Sequence, residues 1–260
     1  MHLYIHIPFC RKACTYCNFH FSTSLSQKEQ MLDAIKWELA QEAPYLQGEK
    51  IETIYFGGGT PSLLGAEELL GIFDTISRHY EVDDLKECTF EANPDDLTTK
   101  YIQSLKLTPI NRFSIGVQSF HDSDLIYMNR AHNAQDAEYA IKAAQDAGFE
   151  KLTIDLIYGT PKLTNMAWLE NLNKVQTLQI PHFSAYALTV EEKTALHHNI
   201  IKKKQAPIDQ EQTAQHFELL MQYAPSFGYE QYEISNFAVP GSESRHNQTY
   251  WNDQPYWGLG

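Results

Sequence analysis

Six short runs rich in apolar and aromatic residues alternate with stretches of helical periodicity along most of the chain. No other feature limits the fold as much. The runs lie at residues 2–8, 53–59, 87–93, 112–120, 152–159 and 183–190. Between them, residues 26–44 place Met31, Ile35 and Leu39 four apart on one helical face. Residues 66–79 carry Leu69, Leu70, Phe73 and Ile76 in a single stripe, and the alanine-rich 133–147 stops at Gly148, a residue type that closes helices. Residues 165–178 and 210–224 complete the series. Strands that are each followed by a helix imply a parallel sheet, because parallel neighbours need long crossovers. The expectation is an α/β fold, a full or partial (β/α) barrel. Its chemistry would sit at the C-terminal strand ends, where PFC, GGGTPS, EANP, GVQSF, IDLIYG and AYALT fall. Residues 1–235 read as the barrel core and 236–260 as the start of a C-terminal segment. That segment is dense in aromatics, shows no helix or cap, and reads as incomplete.

The chain holds four cysteines, and three of them, Cys10, Cys14 and Cys17, fall within eight residues. A net charge of −13 argues against nucleic acid or an anionic membrane as the main partner. The first residues lack a signal-peptide pattern, and no run approaches the roughly 20 apolar residues of a membrane span. A soluble, cytoplasmic protein without stable membrane insertion is expected, and in a reducing compartment such a cysteine group favours metal over disulfides. Three thiolates can hold three irons of a 4Fe–4S cube. Cys88 is a possible fourth ligand, but inside the third strand it reads better as a small buried hydrophobe. Without it one iron stays open, which is where metal chemistry happens. Arg11 and Lys12 would help keep the thiols ionised. A zinc site is the other reading, although no second Cys/His doublet of zinc spacing is evident.

Tyr4-x-His6-Ile7-Pro8-Phe9-Cys10-x-x-x-Cys14-x-Tyr16-Cys17 resembles the opening of the radical S-adenosylmethionine (SAM) proteins related to oxygen-independent coproporphyrinogen III oxidase. The likeness runs nearly the whole length and implies a partial (β/α)6 radical SAM barrel. It also implies a 4Fe–4S cluster on Cys10, Cys14 and Cys17, with SAM on the open iron. An electron donor such as a flavodoxin or ferredoxin would serve the cluster. Gly57-Gly58-Gly59-Thr60-Pro61 is similar to the family's GGGTP word, a clamp for the SAM amino group; a tight turn is the lesser reading by residue type alone. Through the resemblance, Tyr4, Gly58 and Glu91 correspond to contacts with cluster-bound SAM. Tyr16, Gly59, Thr60, Gln118, Arg130, Asp155 and Ala187 correspond to a second SAM site in the oxidase. Taken singly, the carboxylates at strand ends read as well as caps.

Near the C-terminus, Arg245-His246-Asn247-Gln248-Thr249-Tyr250-Trp251 resembles a His-Asn-x-x-Tyr-Trp word of the family's heme-chaperone branch. His246 is the candidate heme ligand there, and the aromatics could pack on a porphyrin or simply seal the barrel. Two functions follow from the resemblance. One is a heme chaperone that passes heme to acceptor proteins. The other is an oxidase that decarboxylates coproporphyrinogen III in porphyrin biosynthesis. The oxidases carry a further Cys in Cys-x-Cys form at the end of the cluster loop and an N-terminal extension before the Tyr-x-His strand. Here Cys17 is followed by Asn18-Phe19 and three residues precede Tyr4, so the chaperone is the favoured expectation.

Overall fold

A computed structural model describes residues 1–46 and 49–260 of the chain. Among the described residues nine strands form one open sheet. The first six are β1 (His2–Ile7), β2 (Thr53–Gly58), β3 (Glu87–Ala92), β4 (Arg112–Gln118), β5 (Lys151–Tyr158) and β6 (His182–Ala187). They lie side by side in chain order, all parallel. The crossovers carry α1 (Lys28–Glu42), α2 (Ala66–His79), α3 (Thr99–Leu105), α4 (Asp122–Tyr127), α5 (Ala134–Asp146) and α6 (Asn165–Thr177). After β6 come α7 (Ala195–Ile201) and α8 (Gln210–Ser226), then β7 (Glu230–Gln231) and β8 (Asn236–Ala238). The chain continues through α9 (Arg245–Trp251) to β9 (Tyr256–Leu259). The six parallel strands are the expected partial barrel, with β7 and β9 at the two edges.

The strands alternate. Leu3, Ile5, Ile7, Ile54, Phe56, Phe90, Phe113, Ile115, Ile154 and Phe183 point to one face and are essentially fully buried. Leu32, Ile35 and Leu39 of α1, and Leu69, Ile72 and Ile76 of α2, belong to the same core. Burying each such side chain stabilises the fold by about 1.5–3 kcal/mol. Leu70, expected in the α2 stripe, is 38% exposed, and Ile72 takes its place. Cys88 is fully buried in this core. The other face is polar. Tyr4, Tyr55, Thr89 and Arg112 stand opposite one another in register, as do Glu91 and Ser114, then Asp155 and Ser184. This concave face is the lumen.

The final segment differs from expectation. Residues 245–251, read as lacking a helix, form α9, because Ser244 caps it by accepting from the Asn247 N–H at 3.2 Å. The segment also joins the main sheet: β8 pairs antiparallel with β6, and β9 pairs parallel with β1. Between these strands α9 closes the lumen at the N-terminal end of the sheet. The Glu87 carboxylate accepts from Ser244 Oγ at 3.1 Å, the Arg245 N–H at 3.1 Å and the His246 N–H at 3.0 Å. Arg112 lies 3.7 Å from the same carboxylate, both side chains being almost wholly buried. Removing one partner of a buried ion pair strands the other. Glu87→Ala should therefore lower the unfolding free energy by about 3–5 kcal/mol in a urea titration, with Glu87→Gln losing less.

Candidate cofactor site at the C-terminal strand ends

Cys10 begins the loop after β1, and that loop is tied down along its length. The Cys10 N–H donates to Ser22 O at 3.0 Å, the Thr15 N–H to Met128 O at 3.0 Å, and Asn129 Nδ2 to Ala13 O at 2.8 Å. The Leu196 N–H at the start of α7 donates to Thr15 O at 2.7 Å. The loop thus holds Cys10, Cys14 and Cys17 partly exposed over the strand ends. Burial is the main cause that raises the Cys10 and Cys17 thiols, and Cys14 nearby adds to it. Cys10 Sγ accepts from Thr60 Oγ1 at 3.4 Å and Cys14 Sγ from Arg130 Nη1 at 3.4 Å. Donors aimed at sulfur are the outer-shell contacts that tune an iron–sulfur cluster. Among the described residues, no three His, Cys, Asp or Glu groups gather tightly enough for a single metal ion. A cube, whose corners spread its ligands apart, asks for a looser triangle.

Arg130 connects this loop to the sheet. Its Nη2 donates to Asn93 Oδ1 at 2.6 Å and Gly116 O at 2.8 Å, while Nη1 lies 3.5 Å from the Tyr16 hydroxyl. Its buried Nε finds no partner among the described residues, so the guanidinium keeps a donor in reserve. Asn93 Nδ2 in turn donates to Thr60 Oγ1 at 3.2 Å. Thr60, Asn93, Arg130, Tyr16 and Cys14 are one hydrogen-bonded group. Asn93 belongs to it without having been singled out in the sequence, although it stands in the EANP word.

The glycine word fits closely against β1. Gly58 has φ +108°, and a Cβ there would come within 2.5 Å of the His6 ring. A Cβ on Gly59 would come within 2.6 Å of Phe9 O. These positions demand glycine because β2 packs on the start of the cysteine loop. Gln118 also has positive φ, 68°, beside a register shift in β4. The bulge re-aims its side chain at the strand end. Ala187 ends β6, half-buried.

Inside the lumen, the Tyr55 hydroxyl donates to Glu91 Oε1 at 2.8 Å and the rings of Tyr4 and Tyr55 stack at 6.0 Å. Tyr55 was not singled out in the sequence. Burial pushes Glu91 up to about 7, although Tyr55 lowers it, and pushes Asp155 up to about 6 against hydrogen bonds from Ser184 and Ser114. His246 is not brought to this group. It lies at the closed end with no exposed surface, its Nδ1 2.7 Å from Thr53 Oγ1 and its Nε2 3.1 Å from the Tyr250 hydroxyl. Burial lowers its ring to about 3. As folded, His246 presents no free nitrogen to an iron, so the heme-ligand expectation meets a histidine already committed to packing α9.

Both lumen carboxyls keep their protons at a higher pH in the folded chain than in the unfolded one. The native state therefore binds extra protons between about pH 4 and 7, and stability falls as pH rises through that window. Glu91→Gln should flatten much of that decline, measured by urea unfolding of the cofactor-free protein at about pH 5.5 and about pH 8.

Residues 4–175 match the model of the radical SAM superfamily. The chain is 38% identical over 259 residues to the heme chaperone HemW of Bacillus subtilis (strain 168), covering 99% of this chain and 68% of that protein. It is 33% identical to the heme chaperone HemW of Escherichia coli (strain K12), with 99% and 68% covered. Among solved structures, coproporphyrinogen III oxidase (HemN) from Escherichia coli superposes with a TM-score of 0.86 at 24% identity, covering 99% of this chain and 62% of that one. At that identity the likeness speaks for the fold alone. The chain spans about two thirds of the length of these HemW relatives. A superfamily match over most of the chain and this kinship place the chain in the radical SAM superfamily and, within it, in the HemW family.

Proposed function

We propose that this chain is the radical SAM core of a heme chaperone, which binds heme and passes it to acceptor proteins. Cys10, Cys14 and Cys17 would hold a 4Fe–4S cluster with SAM on its open iron. When bound, such a cluster supplies single electrons. The chain's own residues do the rest. Thr60 and Arg130 donate to the thiolates at Cys10 and Cys14 and so favour their charged form. Tyr4, Gly58 and Glu91 would receive SAM beside the cluster, with the Glu91 carboxylate positioned by Tyr55. Tyr16, Gly59, Thr60, Gln118, Arg130, Asp155 and Ala187 remain the candidates for a second SAM, of which Arg130 can hold a carboxylate and Asp155 a hydroxyl.

The lining of the lumen carries the choice of chaperone over oxidase. Coproporphyrinogen brings several propionates, which need free cations. Arg112 is held by Glu87, Thr153 Oγ1 and Ser242 O, which leaves the spare donor of Arg130 for a carboxylate, one cation against several propionates. The groups facing them are Glu91, Asp155 and tyrosines, which repel or ignore carboxylates. A lumen of this kind suits SAM, a cation at sulfur and amine, better than a porphyrinogen. Heme would then sit outside the lumen, and His246 would take part only if α9 left Glu87.

Two measurements test this reading. Cys14→Ala should abolish the broad visible absorbance and the bound iron and sulfide of the reconstituted protein, whereas Cys88→Ala should retain both. The purified protein should bind heme with a Soret band, yet form no protoporphyrinogen from coproporphyrinogen III under anaerobic, reducing conditions with SAM. Robust decarboxylation in that assay would establish the oxidase instead.

A further inference from the structure

Four tyrosines and His246 form a continuous line of rings from the middle of the lumen to the protein surface. Tyr4 stacks on Tyr55 with ring centroids 6.0 Å apart and planes 23° from parallel. The Tyr55 ring lies 5.0 Å from that of His246, which lies 5.5 Å from that of Tyr250. Tyr250 meets Tyr256 edge-on at 4.9 Å, and Tyr256 is 52% exposed on β9. Each inner phenol has its own proton partner. Tyr4 bonds His6 Nδ1 at 3.2 Å, Tyr55 bonds the Glu91 carboxylate at 2.8 Å, and Tyr250 bonds His246 Nε2 at 3.1 Å. Any buried phenol needs a hydrogen-bond partner; here each of the three partners is an imidazole or a carboxylate, a group that can also take the proton.

From this line we infer that Tyr4, Tyr55, Tyr250 and Tyr256 form a relay that carries an oxidising equivalent out of the lumen to the surface. The inference is independent of whether heme is the cargo. Its oxidant is a carbon-centred radical that reaches Tyr4 inside the lumen, and its reductant is a soluble thiol. The radical takes the phenolic hydrogen of Tyr4, so a C–H bond forms, the O–H bond breaks and a phenoxyl remains. Tyr55 reduces that phenoxyl by one electron and passes its proton to Glu91, while Tyr4 regains a proton from water. Tyr250 then supplies an electron to Tyr55, which recovers its proton from Glu91, and the Tyr250 proton moves to His246. Tyr256 reduces Tyr250, which takes its proton back from His246, and Tyr256 loses its own proton to water. At the surface a thiol gives a hydrogen atom to the Tyr256 phenoxyl and becomes a thiyl radical, which pairs to a disulfide. The net change is reduction of the radical to a hydrocarbon and oxidation of the thiol.

The proton partners matter because burial, reinforced by Glu91, raises the Tyr4 and Tyr55 hydroxyls well above the usual phenol range. A phenol that does not ionise by itself gives up an electron readily only when the proton leaves at the same moment. Glu91 and His246 are placed to receive it. His246, fully enclosed between Tyr55 and Tyr250, holds the Tyr250 proton only while that phenol is oxidised, because burial disfavours the charged ring and returns the proton on reduction.

Pulse radiolysis tests the relay with the cofactor-free chain, so the result does not depend on SAM cleavage. Azidyl radicals oxidise exposed tyrosine and tryptophan, and Tyr55→3-aminotyrosine serves as the internal trap. The expected result is first-order formation of the aminotyrosyl absorbance at a rate independent of protein concentration. Tyr250→Phe in that background should slow it by an order of magnitude or more. Tyr139→Phe, an exposed tyrosine elsewhere on the surface, should leave it unchanged. Circular dichroism melts of each variant verify that the fold is kept, and should Tyr250→Phe unfold, Tyr256→Phe at the exposed end takes its place. Trap formation only by a concentration-dependent route, or at equal rates with and without the substituted tyrosine, would overturn the relay.

Discussion

Burial of one face of six parallel strands beneath their crossover helices holds the molecule together, and the other face is free to be polar because of it. The apolar layer from Leu3 through Phe90 to Phe183 is continuous and fully enclosed. Parallel sheets usually bury both faces and read as unbroken apolar runs. Here the strands alternate, and the curvature of a partial barrel gathers Tyr55, Glu91, Ser114, Asp155 and Ser184 on the concave side. A carboxylate such as Glu91 is tolerated there because Tyr55 donates to it, and it is held up near neutral pH because little water reaches it.

The two ends of the lumen are specialised differently. At the C-terminal strand ends, Arg130 links β4, the end of β3 and the cysteine loop through Gly116, Asn93 and Cys14. A shift of any of these elements reaches the thiols through a single guanidinium. At the opposite end Glu87 gathers α9 by three donors and Arg112 by charge. The His-Asn-x-x-Tyr-Trp word therefore has a structural task in this chain, packing a helix into the sheet's closed end. Trp251, by contrast, stays 55% exposed, and Tyr250 faces both ways.

Much of this was legible from residues alone. The six strands lie within three residues of the expected positions, and α2 spans the expected residues, because apolar periodicity reports directly on which side is buried. Cys10, Cys14 and Cys17, with Thr60 and Arg130, could be named by motif resemblance, and the structure brings all five to one end of the sheet. Tyr55 was missed, although the period-two pattern of TIYFGG carries it; a strand read only as apolar hides its polar face. Asn93 was missed because a lone asparagine at a strand end reads as turn chemistry. The short α3, α4 and α7 have too few turns to show a stripe.

What the sequence determined by itself was the order of elements, the parallel sheet, and the cysteine, glycine and histidine words, all of which depend on neighbours close along the chain. Tertiary structure decided where those words went. Residues 236–260 gave two strands to the main sheet, β8 and β9, through pairing with β6 and β1, contacts between residues far apart in the chain. His246 became a buried hinge of hydrogen bonds because Thr53, 193 positions away, and Tyr250 occupy both its nitrogens. Such long-range partners leave no local trace, since the polarity of a histidine is the same whether it waits for a ligand or is already satisfied.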